Sequence, residues 1–264
     1  MMIFQGSLLL LGLGITMVLM WLFWLLEEKT KNAGLADIGW VLGIVVLVTL
    51  DAWTGIGWGP RKLAAFLLSS LWGMRLGFYL LFNRVVAKPE DGRYQQLRRE
   101  WKKDPDQKFL FLFEFRAFLS MVFSLPFLLA CFNPLQEWTP LEKISLILWA
   151  VAFLGESLSD WQLYDFKREE GRKKTCREGL WRFSRHPNYF FEFLLWCANA
   201  LFACSAPLGP VAVLCPVLIL FLFFKVTGIP VTEAQALRTK GKDYRKYQRS
   251  TSVFLPWLPK AQRG

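Results

Sequence analysis

Residues 8–26 read LLLLGLGITMVLMWLFWLL and contain no charged side chain. A helix needs about 20 apolar residues to cross the hydrocarbon core of a bilayer, so this run predicts a transmembrane helix. A cleavable signal peptide would start with a basic segment and end in small residues. This chain instead starts MMIFQGS, and the run closes on Trp24 followed by Glu27 and Glu28, so it is expected to stay as a helix. Further apolar stretches lie at 38–56, 63–82, 109–132, 144–163, 189–204 and 211–229. The sequence therefore predicts an all-α integral membrane protein with about seven transmembrane helices, capped by cytosolic loops and the tail.

Composition agrees with that reading. Hydrophobic residues make up 54% of the 264 positions and aromatics 16%, and the mean hydropathy is +0.29, too apolar for a soluble domain of this length. The net charge of +11 would suit a nucleic-acid binder only on a soluble scaffold, and here the cations punctuate apolar runs. They gather in 27–31, 84–108, 167–185 and the tail after Lys225, whereas 133–143 and 205–210 hold only Lys143. Cytosolic loops carry the excess of lysine and arginine, so the N-terminus is expected outside, the C-terminus in the cytosol, and Arg61-Lys62 is a mild exception. No linker or repeat separates parts, so 1–264 reads as one polytopic domain. Membrane lipids and a lipid-soluble small molecule are the expected partners, with no nucleic acid and no obligate protein partner.

Cys131, Cys176, Cys197, Cys204 and Cys215 show no C-x-x-C spacing and fall mostly in apolar stretches, so neither a disulfide nor a thiolate metal site is expected. One histidine excludes the histidine clusters of di-iron membrane enzymes, and no metal is predicted.

Ionisable residues inside apolar spans are costly and need a reason. Asp37, Asp51, Arg75, Glu114, Arg116, Glu156, Asp160, Glu192 and Lys225 form that set. Asp37, Arg116 and Lys225 lie within a turn of a helix end, where long side chains snorkel to water. Glu156 and Asp160 are four apart, hence on one helical face, and Glu192 follows Asn188 by four. Carboxylates and an amide inside, with the basic loop 167–185 at the mouth, suit a ligand with phosphates and hydroxyl or amide groups, or else an ion-pair network that fixes helix ends. Pro187 can open a helix, which sets His186 beside Arg185 at a positive helix terminus. Both are expected to face the cytosol. The neighbouring cation and the helix end should keep His186 neutral, as a partner for a phosphate or ribose.

The stretches GESLSDWQLYDFKREEGRKK (155–174), REGLWRFSRHPNYFFEFLLW (177–196) and TGIPVTEAQALRTKGKDYRKYQRSTSVFLPW (227–257) resemble the bacterial DUF1295 family. That family is placed with the steroid 5α-reductases, the sterol reductases and the isoprenylcysteine carboxyl methyltransferases. The resemblance implies a bacterial inner-membrane protein in which 1–140 shapes a lipid-accessible substrate cavity and 141–264, with its cytosolic loops and tail, encloses NADPH. It implies cofactor contacts at Asp160, Asn188, Tyr189 and Glu192, at Arg185 and His186 as in sterol reductases, at Arg93 and Tyr94 in a loop, and at Tyr244, Arg245 and Tyr247 in the tail. Glu156 stands where steroid reductases carry asparagine, Lys167 where they carry arginine, and Tyr164 where a second arginine is expected. The implied reaction is hydride transfer to the β-carbon of an enone in a lipid-soluble substrate, followed by protonation of the enolate. Tyr79 is the best tyrosine for polarising the carbonyl and Asp37 a possible acid. The methyltransferases of the group use S-adenosylmethionine and carry paired glutamates where this chain reads Glu233-Ala234, which counts against methyl transfer. A lipid-binding membrane scaffold without enzymatic activity is the third reading.

Overall fold

The computed structural model describes residues 2–101, 103–171, 174–226 and 228–260. Among these, regular structure is helical, apart from an isolated parallel bridge between Ser184 and Ser252. The chain divides into two compact units: 1–138 with 203–212, and 139–202 with 213–264.

The first unit is built on α1 (Met2–Thr30), α2 (Leu35–Thr54), α3 (Gly59–Leu80), the short α4 (Gly92–Glu100) and α5 (Pro105–Cys131). Pro60 and Pro105 sit in the first turns of α3 and α5, where a missing N–H leaves no bond unmade. Helix α2 packs against α1, α3 and α5. Met20, Leu35, Ala36, Phe113 and Ala117 form a buried cluster of its core. Trp40 meets Trp72 and Phe123 edge-on at 5.8 and 5.7 Å, the geometry that aromatic quadrupoles prefer. A five-residue π turn, Leu81–Val85, prolongs α3.

Arg61 accounts for the exception in the charge pattern. It is fully buried, and its guanidinium donates to the carbonyls of Asn133, Leu135 and Glu137, while Lys62 donates to the carbonyl of Gly55. These cations are spent on closing backbone at the ends of α2, α3 and α5.

The second unit holds α6 (Pro140–Glu169), α7 (Pro187–Ala203), α8 (Leu214–Phe221), α9 (Ile229–Lys240) and α10 (Lys242–Ser250). Helix α6 opens with a capping box in which Thr139 and Glu142 satisfy each other's backbone N–H groups. Gly155 lets α6 approach α7 closely, because a Cβ there would lie 2.4 Å from the ring of Phe191. Gly179 has a φ of +54°, which disfavours any other residue. The Leu180 N–H that follows it donates to Gln162 on α6.

Five of the described segments are long and apolar enough to cross a membrane: Gly6–Thr30, Leu35–Thr54, Gly59–Val85, Pro105–Cys131 and Gly209–Lys240. They make the chain a multi-pass membrane protein. The other two expected spans fall on α6 and α7. Helix α6 buries Glu156 and Asp160 in its second half, and α7 has only 17 residues, about 26 Å at 1.5 Å per residue.

Candidate functional site

In the second unit the polar groups gather at the start of α7. Ser184 is fully buried, and its hydroxyl donates to the carbonyl of Phe254 at 2.7 Å while accepting the His186 N–H at 3.1 Å. The Arg185 N–H donates to the carbonyl of Ser252 at 2.8 Å. The tail thus straps the segment that precedes α7 and fixes where Arg185 and His186 point.

Arg185 turns inward instead of toward solvent. Its Nε donates to Glu233 of α9 at 2.6 Å, and its Nη1 donates to the carbonyls of Gln248 and Thr251 at 3.0 and 2.9 Å. Glu233 also accepts from Gln248 Nε2 at 2.9 Å and from the Tyr244 hydroxyl at 3.4 Å, and it lies 3.4 Å from His186 Nε2. One carboxylate therefore organises α7, α9 and α10.

His186 is 3% exposed, so the expectation that it faces the cytosol is corrected. Its pKa is pushed below the usual imidazole value, chiefly by burial and to a lesser degree by Arg185, against the pull of Glu233. Burial, more than the neighbouring cation, keeps it neutral. Its ring stacks on Tyr189 with centroids 5.4 Å apart, and Tyr189 stacks on Phe223 at 4.5 Å. The Tyr189 hydroxyl lies 3.4 Å from that of Thr232.

Asn188 Nδ2 donates to Asp160 at 3.1 Å, and its Oδ1 accepts the Tyr189 N–H at 3.0 Å, which fixes the amide in one orientation. Asp160 and Glu156 are both buried on one face of α6. Glu192 is buried and accepts from Trp196 Nε1 at 2.8 Å.

The remaining tail residues separate by role. Tyr247 is buried, and its hydroxyl donates to the carbonyls of Trp181 and Ser184, so it closes the backbone there. Burial raises the pKa values of both Tyr244 and Tyr247. Lys167 and Arg245 are exposed. Gln248, Thr232, Phe223 and Trp196 join the constellation without having been singled out in the sequence. Only Gln248 left a sequence signal, one helical turn beyond Tyr244.

Arg93 and Tyr94 belong to the first unit, where they surround Asp37. Asp37 accepts from Arg116 at 2.8 Å and from the Tyr94 hydroxyl at 3.0 Å, with Arg93 at 3.4 Å and Arg84 at 3.5 Å. Asp91 caps α4 through the Arg93 N–H and takes a second contact from the Arg93 Nε at 3.1 Å. The Arg93 and Arg84 guanidinium groups hold the Asp91 carboxyl below its usual pKa against the opposing effect of burial, and burial with the Asp37 charge pushes Tyr94 up to about 12. Asp37 and Arg116 therefore pair with each other instead of snorkelling. The four contacts of Asp37 among the described residues are with donors, which suits an anchor. Tyr79 lies half-buried on α3, its carbonyl accepting from Asn83, and it does not share the contacts around Asp37 that are described above.

The arrangement in the second unit offers a ligand a fixed amide, buried carboxylates, a neutral imidazole and a stacked aromatic surface. The family model described as protein of unknown function (DUF1295) matches residues 23–251. No curated protein and no solved structure matches the chain. A match over so much of the 264 residues decides the assignment, and the chain belongs to the DUF1295 family.

Proposed function

We propose that the chain is a membrane-embedded NADPH-dependent reductase of a polarised carbon–carbon double bond in a lipid-soluble substrate. The observation that carries this reading is the pair of half-buried Asn188 with buried Asp160 at 3.1 Å, beside the stack of His186, Tyr189 and Phe223. A buried carboxylate and an amide of fixed orientation suit ribose hydroxyls and a carboxamide, and a planar aromatic face suits a nucleotide base or a nicotinamide. Arg185 is neutralised by Glu233, so phosphate groups would be met by exposed cations, for which Lys167 and Arg245 are placed in sequence on either side. NADPH, when bound, supplies the hydride. The chain's own residues would orient it: Asp160 by fixing Asn188, and Glu233 by fixing Arg185 and His186. Resemblance to the steroid and sterol reductases favours hydride transfer, and the single Glu233, already engaged by Arg185, weighs against the paired-glutamate pattern of the methyltransferases.

The test is binding of NADPH and of S-adenosylmethionine to the detergent-purified protein by calorimetry, with Asn188→Ala as control, followed by NADPH oxidation against a panel of lipid enones. NADPH binding that the variant loses supports the reductase reading. Binding of S-adenosylmethionine alone moves the assignment to methyl transfer, and binding of neither moves it to a lipid-binding scaffold.

A further inference from the structure

The tail beyond α10 combines a tight anchorage with an exposed apolar surface. Phe254 is 6% exposed and sits among Phe190, Phe193 and Phe224, with ring centroids 5.3 to 5.9 Å away. The residues that follow do the opposite: Leu255 is 62% exposed, and Trp257 and Leu258 are each 74% exposed. This surface is held in place. The Phe254 carbonyl accepts from Ser184, the Trp257 N–H donates to the carbonyl of Phe183 at 2.9 Å, and the Lys260 N–H donates to the carbonyl of Ser250 at 2.8 Å. Pro256 and Pro259 restrict the backbone between those points. Three large apolar side chains on a fixed hook have no means of turning inward, and contiguous exposed apolar surface of this kind marks an interaction site.

Charge decides what covers it. Residues 244–260 contain Arg245, Lys246, Arg249 and Lys260 and no acidic residue. Arg182, Arg249 and Lys260 are exposed and adjoin the pinning residues Phe183, Ser250 and Trp257 in sequence or through the backbone pairs above. A tryptophan flanked by leucines inside a basic rim matches the boundary between headgroups and acyl chains in an anionic leaflet. Between Phe183, Pro256, Trp257 and Leu258 lies a cleft of about 280 Å³. It is open to the surface and smaller than small-molecule pockets, which run from about 300 to 1,000 Å³, and its apolar lining suits a segment of an acyl chain.

We infer that residues 255–258 form an interfacial membrane anchor that inserts Leu255, Trp257 and Leu258 into an anionic lipid leaflet. By pinning the segment 183–186, the anchor would tie the position of Arg185 and His186 to the bilayer surface. This inference is independent of the catalytic reading, because it rests on exposure, backbone pinning and charge alone.

The test uses the full-length protein in nanodiscs of phosphatidylcholine, with or without phosphatidylglycerol, carrying plain or brominated acyl chains. Subtracting the emission of Trp257→Phe from that of the unaltered protein isolates Trp257 from the other tryptophans, and the ring is exposed enough for the variant to fold. The expected result is a blue-shifted component quenched by brominated chains and shielded from aqueous acrylamide. Quenching should rise by about two-fold or more when the anionic lipid is present, and Arg249→Gln with Lys260→Gln should abolish that rise. A red-shifted component quenched by acrylamide and untouched by bromine would overturn the anchor. A component shielded from both, with cross-links between copies through Leu258→Cys, would overturn it in favour of a protein contact. Bromine quenching that is indifferent to phosphatidylglycerol would overturn the anionic preference.

Discussion

Glu233→Gln isolates the charge at the hub of the second unit. The substitution keeps the volume of the side chain and one acceptor oxygen, so no cavity opens, and what changes is the partner of Arg185. The Arg185 and Glu233 side chains are only 11% and 15% exposed. Breaking a buried ion pair by removing one partner costs about 3–5 kcal/mol. Arg185 keeps the carbonyls of Gln248 and Thr251, which places the loss near the lower figure, about 3 kcal/mol. At about 2 °C per kcal/mol for a chain of this length, the melting temperature should fall by roughly 6 °C. The companion variant Arg185→Met should cost a similar amount. The double variant should cost little more than either alone, since a pair removed together leaves no unpaired charge, and the coupling should be about 2–3 kcal/mol. Melting curves followed by tryptophan emission in one detergent give all four corners of the cycle. A drop of less than about 2 °C for Glu233→Gln, or losses that add in the double variant, would refute the hub.

Three further outcomes follow from other contacts. The lowered pKa of His186 means that an unfolded chain takes up its proton near pH 6.5 before the folded chain does, so stability is complete above that value and falls as pH drops below it, by at most about 1.4 kcal/mol per pH unit; His186→Asn should flatten melting temperature against pH between 7 and 5. Asp37→Asn leaves the Arg84, Arg93 and Arg116 guanidinium groups without their shared carboxylate and should cost about 3 kcal/mol in the same melts, whereas Asp91→Ala, which removes a helix cap and the contacts to Arg93 and Arg84, should cost nearer 1–2 kcal/mol. Gly155→Ala drives a methyl group into the Phe191 ring and should destabilise by about 1–3 kcal/mol; because it shifts α6 against α7, it should also weaken NADPH binding through the Asn188–Asp160 pair, measurable by calorimetry.

The parts of the fold that were legible in the sequence are those fixed by local chemistry. The charge-free run within α1 and the first-turn proline of α7 determine their elements without help from distant residues. Glu156 and Asp160, four apart, are buried on one face as the helical period requires. What escaped was tertiary pairing. Arg61 looked like a misplaced loop cation because its three carbonyl partners lie more than seventy positions away. Arg116 looked free to snorkel because Asp37 is as distant in sequence. His186 was expected to face the cytosol because a one-dimensional reading sees the basic loop before it and cannot see the tail, whose carbonyls at Ser252 and Phe254 hold the segment in which it sits buried.

That failure has a common physical cause, and it bears on where a ligand can bind. In an apolar protein every charge drawn inward must be matched, and Asp37 and Glu233 each do this by collecting several donors from helices distant in sequence. Residues that carry charge, and so attract notice in a sequence, are therefore those most fully occupied by one another: Arg185 by Glu233 and two carbonyls, Arg93 by Asp37 and Asp91. Recognition then falls to groups whose orientation is set without cancelling their chemistry. Asn188 is held at both ends of its amide yet its Oδ1 retains a lone pair, and the stacked rings of His186 and Tyr189 carry no net charge to be neutralised. On this reasoning Asn188→Ala should reduce cofactor affinity more than Lys167→Ala does, although the lysine is the more obvious phosphate ligand. The reverse order in a calorimetric comparison of the two variants would show that exposed charge governs binding and that the buried constellation serves only to hold the helices together.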